Sequence, residues 1–262
     1  MTVTLWDKKI PYAAEGYDTP NTMKTYFVET DTPRPCVVVF AGGGYSNRAP
    51  HEGGPVALRL NKHGIHAVVV DYRVAPYRFP TSLLDAQRAI RLLRAHAEEW
   101  KIDPEKIVTL GFSAGGHLCG LTAVWGDALD ACPDIERDEI DRLDCRVNGA
   151  ILCYAVLSFG SAYGHVGSGE NLLGENYRYE QEAFELSDYV TKDTPPCFLW
   201  HTSEDPGVSV KNSLLFSKAL AANGVPFELH VYPYGTHGLG LADDYRALNH
   251  WCDLAGEWVN RL

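Results

Sequence analysis

The chain has 262 residues, of which 45% are hydrophobic and 22% are charged, and its formal net charge is −11. This length and composition are typical of one large globular domain, so we expect a single domain over residues 1–262. The strong negative charge argues against nucleic acids and anionic membranes as partners, because both would be repelled.

The N-terminal segment has no basic start followed by an apolar stretch, and no run in the chain reaches the length of a membrane span. Seven cysteines are present, an odd number. Without an export signal, they predict reduced thiols and a cytoplasmic location, although a disulfide between Cys132 and Cys145 remains an alternative. The sequence has no H-E-x-x-H motif and no paired C-x-x-C motif, so we expect no metal.

Apolar runs of strand length alternate with runs of helix length along the chain. The predicted strands cover 23–30, 36–40, 66–70, 106–110, 149–154, 196–201 and 227–232. The predicted helices cover 54–63, 81–97, 117–124, 209–223 and 243–261. This alternation predicts an α/β fold with a mostly parallel sheet and helices on both faces.

Two stretches interrupt the alternation. Residues 126–146 are acidic and irregular, and residues 157–193 are rich in Gly, Tyr, Ser and Glu. We expect both to pass over the C-terminal edge of the sheet and to form a small lid. In the predicted helix 81–97, Arg88 and Arg91 lie mostly off the apolar face, so we expect them on a solvated surface.

The segment Gly-Phe-Ser-Ala-Gly at 111–115 lies between a predicted strand and a predicted helix. G-x-S-x-G in this context is typical of a nucleophile elbow, in which glycines leave room where the strand and the helix cross. Ser113 would then project above the sheet, beside the positive end of the helix. We therefore predict that Ser113 is a catalytic nucleophile.

A serine hydroxyl needs a base to take its proton and a group to orient that base. His237 lies in a glycine-rich loop directly after the last predicted strand, at the same sheet edge as Ser113. The loop after the preceding strand offers Glu204 and Asp205, and we favour Asp205 because Asp-Pro-Gly-Val resembles a D-x-x-V turn that carries the acid in many such hydrolases. The order Ser113, Asp205, His237 is that of α/β-hydrolases.

Acyl transfer also needs N–H donors for the negative oxygen of the tetrahedral intermediate. The N–H of Ala114 directly follows the predicted nucleophile, and a Gly-Gly-Gly run at 42–44 follows the predicted strand 36–40. We expect Ala114 N–H and N–H groups of the glycine run to form the oxyanion hole, since glycines let backbone N–H groups turn toward a ligand.

Polar residues follow these glycines, among them Tyr45 and Glu52. Two interpretations remain open for them. They can build a polar site for an acyl group or a sugar, or they can merely hold the loop through hydrogen bonds. Tyr45 and Glu52 are our candidates for substrate binding.

The chain resembles small α/β-hydrolases of the carboxylesterase group, close to bacterial acetyl esterases and acetylxylan-esterase-like enzymes. The resemblance is carried by residues 41–45, 52–53, 69–73, 111–117, 205, 212–213 and 235–238. It implies an α/β-hydrolase fold with a mostly parallel sheet of eight strands, a short lid and no cofactor. It supports Ser113, Asp205 and His237 as a catalytic triad, and Gly43, Gly44 and Ala114 as the oxyanion donors. Ala41 stands where hormone-sensitive-lipase relatives have histidine, which places the chain outside that group.

Together these observations predict a serine carboxylesterase that removes short acyl groups, acetyl foremost, from an alcohol or a sugar through an acyl-enzyme. The partner would be a small-molecule ester, an acetylated sugar being one candidate. An arylformamidase or a dipeptidyl-type serine peptidase would use the same triad and remains an alternative. A non-catalytic binding module on a hydrolase scaffold is disfavoured by the intact triad.

Overall fold

A computed structural model describes residues 1–7, 9–16 and 19–262 of the chain. The strands in that part are β1 (Thr2–Thr4), β2 (Thr22–Tyr26), β3 (Arg34–Phe40), β4 (His66–Val70), β5 (Ile102–Phe112), β6 (Gly149–Cys153), β7 (Cys197–Thr202) and β8 (Phe227–Tyr232). They form one sheet of eight strands in the order β1-β2-β4-β3-β5-β6-β7-β8. Strand β2 pairs antiparallel with β1 and β4, and the remaining pairs are parallel.

Helices cover both faces of this sheet. Their bounds are α1 (Gly54–Asn61), α2 (Thr81–Ala95), α3 (Ser113–Val124), α4 (Val166–Leu173), α5 (Tyr177–Glu180), α6 (Lys211–Ala222) and α7 (Trp251–Arg261). Side chains alternate between the faces along β3, because Val38 packs with the core under α2 and α3 whereas Val37 and Val39 pack with the core under α1 and α7. Strands buried on both faces explain the continuous apolar runs of the sequence.

The predicted elements are present, and the differences lie at their ends. The early strand ends at Tyr26 instead of residue 30, and the last helix begins at Trp251 instead of residue 243. The backbone before α7 forms turns, in which the N–H groups of Tyr245 and Leu248 donate to carbonyls three residues earlier. Leu248 is nonetheless buried. The apolar residues of this segment resemble the pattern of a helix, but they pack against the core from turns.

Arg88 and Arg91 of α2 are buried, which corrects the expectation that they lie on a solvated face. Arg88 and Arg91 are each 1% exposed. Arg88 pairs with Asp141 at 2.8 Å, and Arg91 pairs with Asp127 at 2.5 Å. The acidic stretch 126–146 therefore lies along the outer side of α2, and its carboxylates neutralise the charges of the two arginines. Periodicity within α2 alone does not reveal that another segment covers this side.

The two irregular stretches thus lie in different places. Residues 126–146 pack on α2, whereas we expected them over the sheet edge. Residues 157–193 contain α4 and α5, and the chain approaches them across the elbow, where Val156 N–H donates to Ser113 O at 3.0 Å. All seven cysteines are buried free thiols, so Cys132 and Cys145 are not paired. Within the described ranges, no helix is both long and apolar enough to cross a bilayer.

Candidate active site

Ser113 lies at the sharp turn between β5 and α3. Its φ angle is 52°, in the left-handed region that non-glycine residues rarely adopt. A Cβ atom on Gly111 would lie 2.0 Å from Gly115 O, and one on Gly115 would lie 2.2 Å from Phe40 O. Only glycine fits at both positions, which explains the G-x-S-x-G pattern as a requirement of the turn that presents Ser113.

The structure brings Ser113, His237 and Asp205 together. His237 Nε2 lies 2.8 Å from Ser113 Oγ, and His237 Nδ1 lies 2.7 Å from Asp205 Oδ2. A carboxylate only accepts hydrogen bonds, so Nδ1 carries the proton and Nε2 is left to accept from the serine hydroxyl. This is the arrangement in which a histidine can act as a base toward a serine.

Asp205 is held as a carboxylate. Its side chain is 1% exposed, and Oδ1 accepts the N–H groups of Gly207 and Val208 at 2.8 and 2.9 Å. Burial by itself would raise the pKa of Asp205, but hydrogen bonds from His201, His237 and Val208 outweigh burial and hold the pKa well below its usual range. The charge at Asp205 is therefore available to stabilise a protonated His237.

Glu204, the alternative acid, has another contact. Its Oε1 accepts the N–H of Gly235 at 2.8 Å, in the loop that carries His237. Glu204 thus fastens the backbone of that loop, while Asp205 reaches the imidazole itself. The geometry favours Asp205 over Glu204 as the residue that orients the base.

The glycine loop after β3 lies against the nucleophile. A Cβ atom on Gly42 would be 3.0 Å from Ser113 Cβ and 2.7 Å from Phe112 O. Among the described residues, no acceptor is hydrogen-bonded to the N–H of Gly43 or Gly44. The N–H of Ala114 lies in the first turn of α3, where no earlier helical carbonyl is available. These N–H groups match the requirement for oxyanion donors.

A buried carboxylate connects the glycine loop to the histidine loop. Glu52 Oε2 accepts Gly42 N–H at 2.7 Å, and Glu52 Oε1 accepts the hydroxyl of Tyr154 at 2.6 Å. The Tyr154 hydroxyl in turn accepts Gly240 N–H at 2.8 Å. The Tyr154 ring packs edge-on against His237, with ring centroids 5.1 Å apart. We call this chain of contacts the Glu52–Tyr154 bridge.

Tyr45 and Glu52 are buried, which corrects the expectation that their side chains contact the substrate. Their exposed fractions are 1% and 2%. The Tyr45 hydroxyl is hydrogen-bonded to His117 Nδ1 at 2.9 Å, and both carboxylate oxygens of Glu52 are taken by the bridge. Polar groups enclosed beside a tight loop need partners within the protein, so these two residues hold the loop.

Sequence reasoning missed two residues beside the site. Asn171 Nδ2 donates to Gly44 O at 2.9 Å, so α4 is fastened to the glycine loop. His165 caps the N-terminus of α4, where its side chain accepts the N–H of Ser168. Both residues lie in the irregular stretch 157–193. Neither the order of strands nor a helical period there predicts which part of the protein a side chain contacts.

The chain is similar to one family model and to several curated proteins. The model of the BD-FAE family matches residues 25–220. Endo-1,4-beta-xylanase B of Butyrivibrio fibrisolvens is 38% identical over 92% of this chain and 38% of its own length. Acetylxylan esterase of Xylanibacter ruminicola is 28% identical over 86% of this chain and 45% of its own length. The chain therefore spans less than half of the length of each of these two curated relatives.

A solved structure extends the similarity to the whole fold. The acetyl ester-xyloside bifunctional hydrolase of Caldicellulosiruptor lactoaceticus superimposes with a TM-score of 0.92 at 43% identity, covering 100% of this chain and 96% of that one. The predicted α/β-hydrolase fold and the resemblance to acetylxylan esterases and carboxylesterases are confirmed.

Proposed function

The chain belongs to the BD-FAE family, and we propose that it is a carboxylic ester hydrolase that removes short acyl groups, acetyl foremost, from a sugar through an acyl-enzyme on Ser113. One observation carries the proposal. Ser113 Oγ, the two nitrogens of His237 and Asp205 Oδ2 form a continuous hydrogen-bonded relay with contacts of 2.8 and 2.7 Å.

In the proposed reaction, Ser113 Oγ attacks the ester carbonyl while His237 Nε2 takes the hydroxyl proton. Asp205 stabilises the resulting imidazolium, and the N–H groups of Gly43, Gly44 and Ala114 stabilise the negative oxygen. His237 then returns the proton to the departing alcohol oxygen. Water, deprotonated by the same imidazole, attacks the acyl-enzyme and releases the carboxylic acid and Ser113.

The sugar part of the proposal is supported by the relatives. The Caldicellulosiruptor protein is named for acetyl ester and xyloside hydrolysis, and the Xylanibacter protein for acetylxylan. The first of these matches nearly its full length, so similarity there is not confined to a shared domain. We accordingly propose an acetylated, xylose-containing substrate.

The seven buried free thiols support a reducing compartment such as the cytoplasm.

The test compares 4-nitrophenyl esters of increasing acyl length with acetylated xylo-oligosaccharides. We expect activity to fall steeply beyond about four acyl carbons. Burying one methylene group is worth about 0.8 kcal/mol, and each added methylene needs apolar space in the site to gain that free energy. Ser113→Ala should lower kcat by about 10³- to 10⁶-fold and abolish labelling by a fluorophosphonate probe.

Ser187→Ala is the matched control. The hydroxyl of Ser187 donates to Glu185 and has no contact with the relay. An unchanged rate in Ser113→Ala would overturn the proposal. Faster turnover of aryl formamides or of dipeptide amides than of acetate esters would instead favour the arylformamidase or the peptidase.

A further inference from the structure

His165 is fixed beside the relay by contacts on both sides. Its backbone N–H donates to Ser158 O at 3.1 Å, in the segment that follows the strand end next to Ser113. Immediately after it begins α4, which Asn171 ties to Gly44 at 2.9 Å. The ring of His165 is therefore held between two segments that both lie against the candidate active site.

The contacts of the His165 ring determine which nitrogen carries the proton. Nδ1 accepts the backbone N–H of Ser168 at 3.1 Å and lies 2.8 Å from Ser168 Oγ. A nitrogen that accepts from an N–H group has no hydrogen of its own, so the neutral ring carries its hydrogen on Nε2. Among the described residues, Nε2 has no hydrogen-bond partner. The half-buried ring thus retains one unused N–H donor.

The ring lies near the glycine loop, because Ser168 Oγ, which is 2.8 Å from Nδ1, would be 4.0 Å from a Cβ atom on Gly44. Burial lowers the pKa of His165, the neighbouring His237 lowers it further, and Asp205 acts in the opposite direction. His165 therefore stays neutral when His237 becomes protonated, because a second positive charge nearby is unfavourable. A neutral N–H donor suits an uncharged hydroxyl or ether oxygen better than it suits a carboxylate.

We propose that His165 is a specificity-determining residue whose Nε2–H donates a hydrogen bond to an oxygen of the sugar that bears the acyl group. The alcohol side of the ester is favoured because His237, whose charge acts on His165, must deliver a proton to the departing alcohol oxygen. The inference rests on the proposed function, since it requires an acylated sugar at Ser113.

The test uses His165→Asn in the full chain. Asparagine is a preferred helix N-cap and can still accept Ser168 N–H, so α4 keeps its cap while the Nε2 donor is lost. We expect kcat/KM for an acetylated xyloside to fall about three- to tenfold, mainly through KM, as for loss of one neutral hydrogen bond. For 4-nitrophenyl acetate, which has no sugar, kcat/KM should change less than about twofold. His96→Asn, at a half-buried histidine directly after α2 that pairs with Glu99, is the control.

The outcomes separate this proposal from the broader one. Unchanged kinetics of His165→Asn on the xyloside overturn the role of His165 and leave the esterase assignment intact. Equal losses on both substrates also overturn it, because they indicate that the ring only supports α4 and the glycine loop. A wild-type protein that cleaves 4-nitrophenyl acetate but no sugar acetate refutes both the sugar substrate and the role of His165.

Discussion

Tyr154 donates its hydroxyl hydrogen to Glu52 at 2.6 Å, and this contact joins the two loops that border the candidate active site. On one side Glu52 holds Gly42, and on the other Tyr154 holds Gly240. Burial and then the charge of Glu52 raise the pKa of Tyr154 well above its usual value, so the hydroxyl remains a donor. The glycine loop and the loop that carries His237 are thus positioned through one shared carboxylate.

We expect Tyr154→Phe to lower kcat/KM for 4-nitrophenyl acetate by about 10- to 100-fold, because a hydrogen bond to a buried charge is worth about 1.5–3 kcal/mol. The variant leaves Glu52 Oε1 and the N–H of Gly240 unpaired, and both loops become free to shift. Steady-state kinetics measure the effect. Tyr232→Phe is the control, since the Tyr232 hydroxyl is buried without a hydrogen-bond partner among the described residues. Wild-type kinetics in Tyr154→Phe would mean that the loops hold their positions independently.

Asp205→Asn distinguishes the two candidate acids. We expect kcat to fall by about 10³- to 10⁴-fold, because a neutral amide cannot stabilise the imidazolium and can favour the wrong tautomer of His237. Glu204→Gln should retain kcat within about threefold, since an amide oxygen can still accept Gly235 N–H. The reverse ranking of the two variants would assign the acid to Glu204.

The proximity of Ser113, Asp205 and His237 could be predicted from sequence because each lies in the turn or loop that follows a strand of the parallel sheet. Carboxyl ends of such strands share one edge, so Ser113, Asp205 and His237 had to lie near one another once the strands were identified. The local glycine pattern around Ser113 added a steric requirement that only an elbow explains.

The roles of Glu52 and Tyr154 could not be predicted in the same way. Glu52 and Tyr154 are separated by 102 positions in the sequence. Nothing in the sequence around Glu52 distinguishes a buried carboxylate that holds loops from one that binds a ligand. The same applies to Arg88, whose carboxylate partners come from an irregular segment. Long-range pairing between irregular segments has no periodic signature.

Arg73 and Asp85 form a fully buried ion pair, with both side chains at 0% exposure and a contact of 2.7 Å. Trp6 Nε1 also donates to Asp85 at 3.0 Å. Asp85→Ala should lower the free energy of unfolding by about 3–5 kcal/mol, because it leaves a buried guanidinium without its counter-charge. Urea unfolding measures this.

The matched control for that measurement is Asp130→Ala, which breaks an exposed pair with Arg137. We expect it to change the free energy of unfolding by less than about 1 kcal/mol. Similar losses in Asp85→Ala and Asp130→Ala would contradict the argument that burial makes the Arg73–Asp85 pair costly to break.

His117 should make stability depend on pH. The ring is fully buried and stacks on Phe159 with centroids 4.3 Å apart, and its Nε2 has no partner in the described structure. Burial lowers the pKa of His117 from 6.5 to about 3. Between these values the unfolded chain binds a proton that the folded protein does not, so stability is retained above about pH 6.5 and is lost as the pH falls toward 3.

We therefore expect the free energy of unfolding of the wild type to fall more steeply than that of His117→Gln between pH 6 and pH 4, by about 1 kcal/mol per pH unit. The difference between the two proteins isolates His117, because the carboxylates that also titrate in this range are common to both. Parallel curves for the wild type and His117→Gln would show that the buried ring accepts a proton in the folded state as readily as in the unfolded chain.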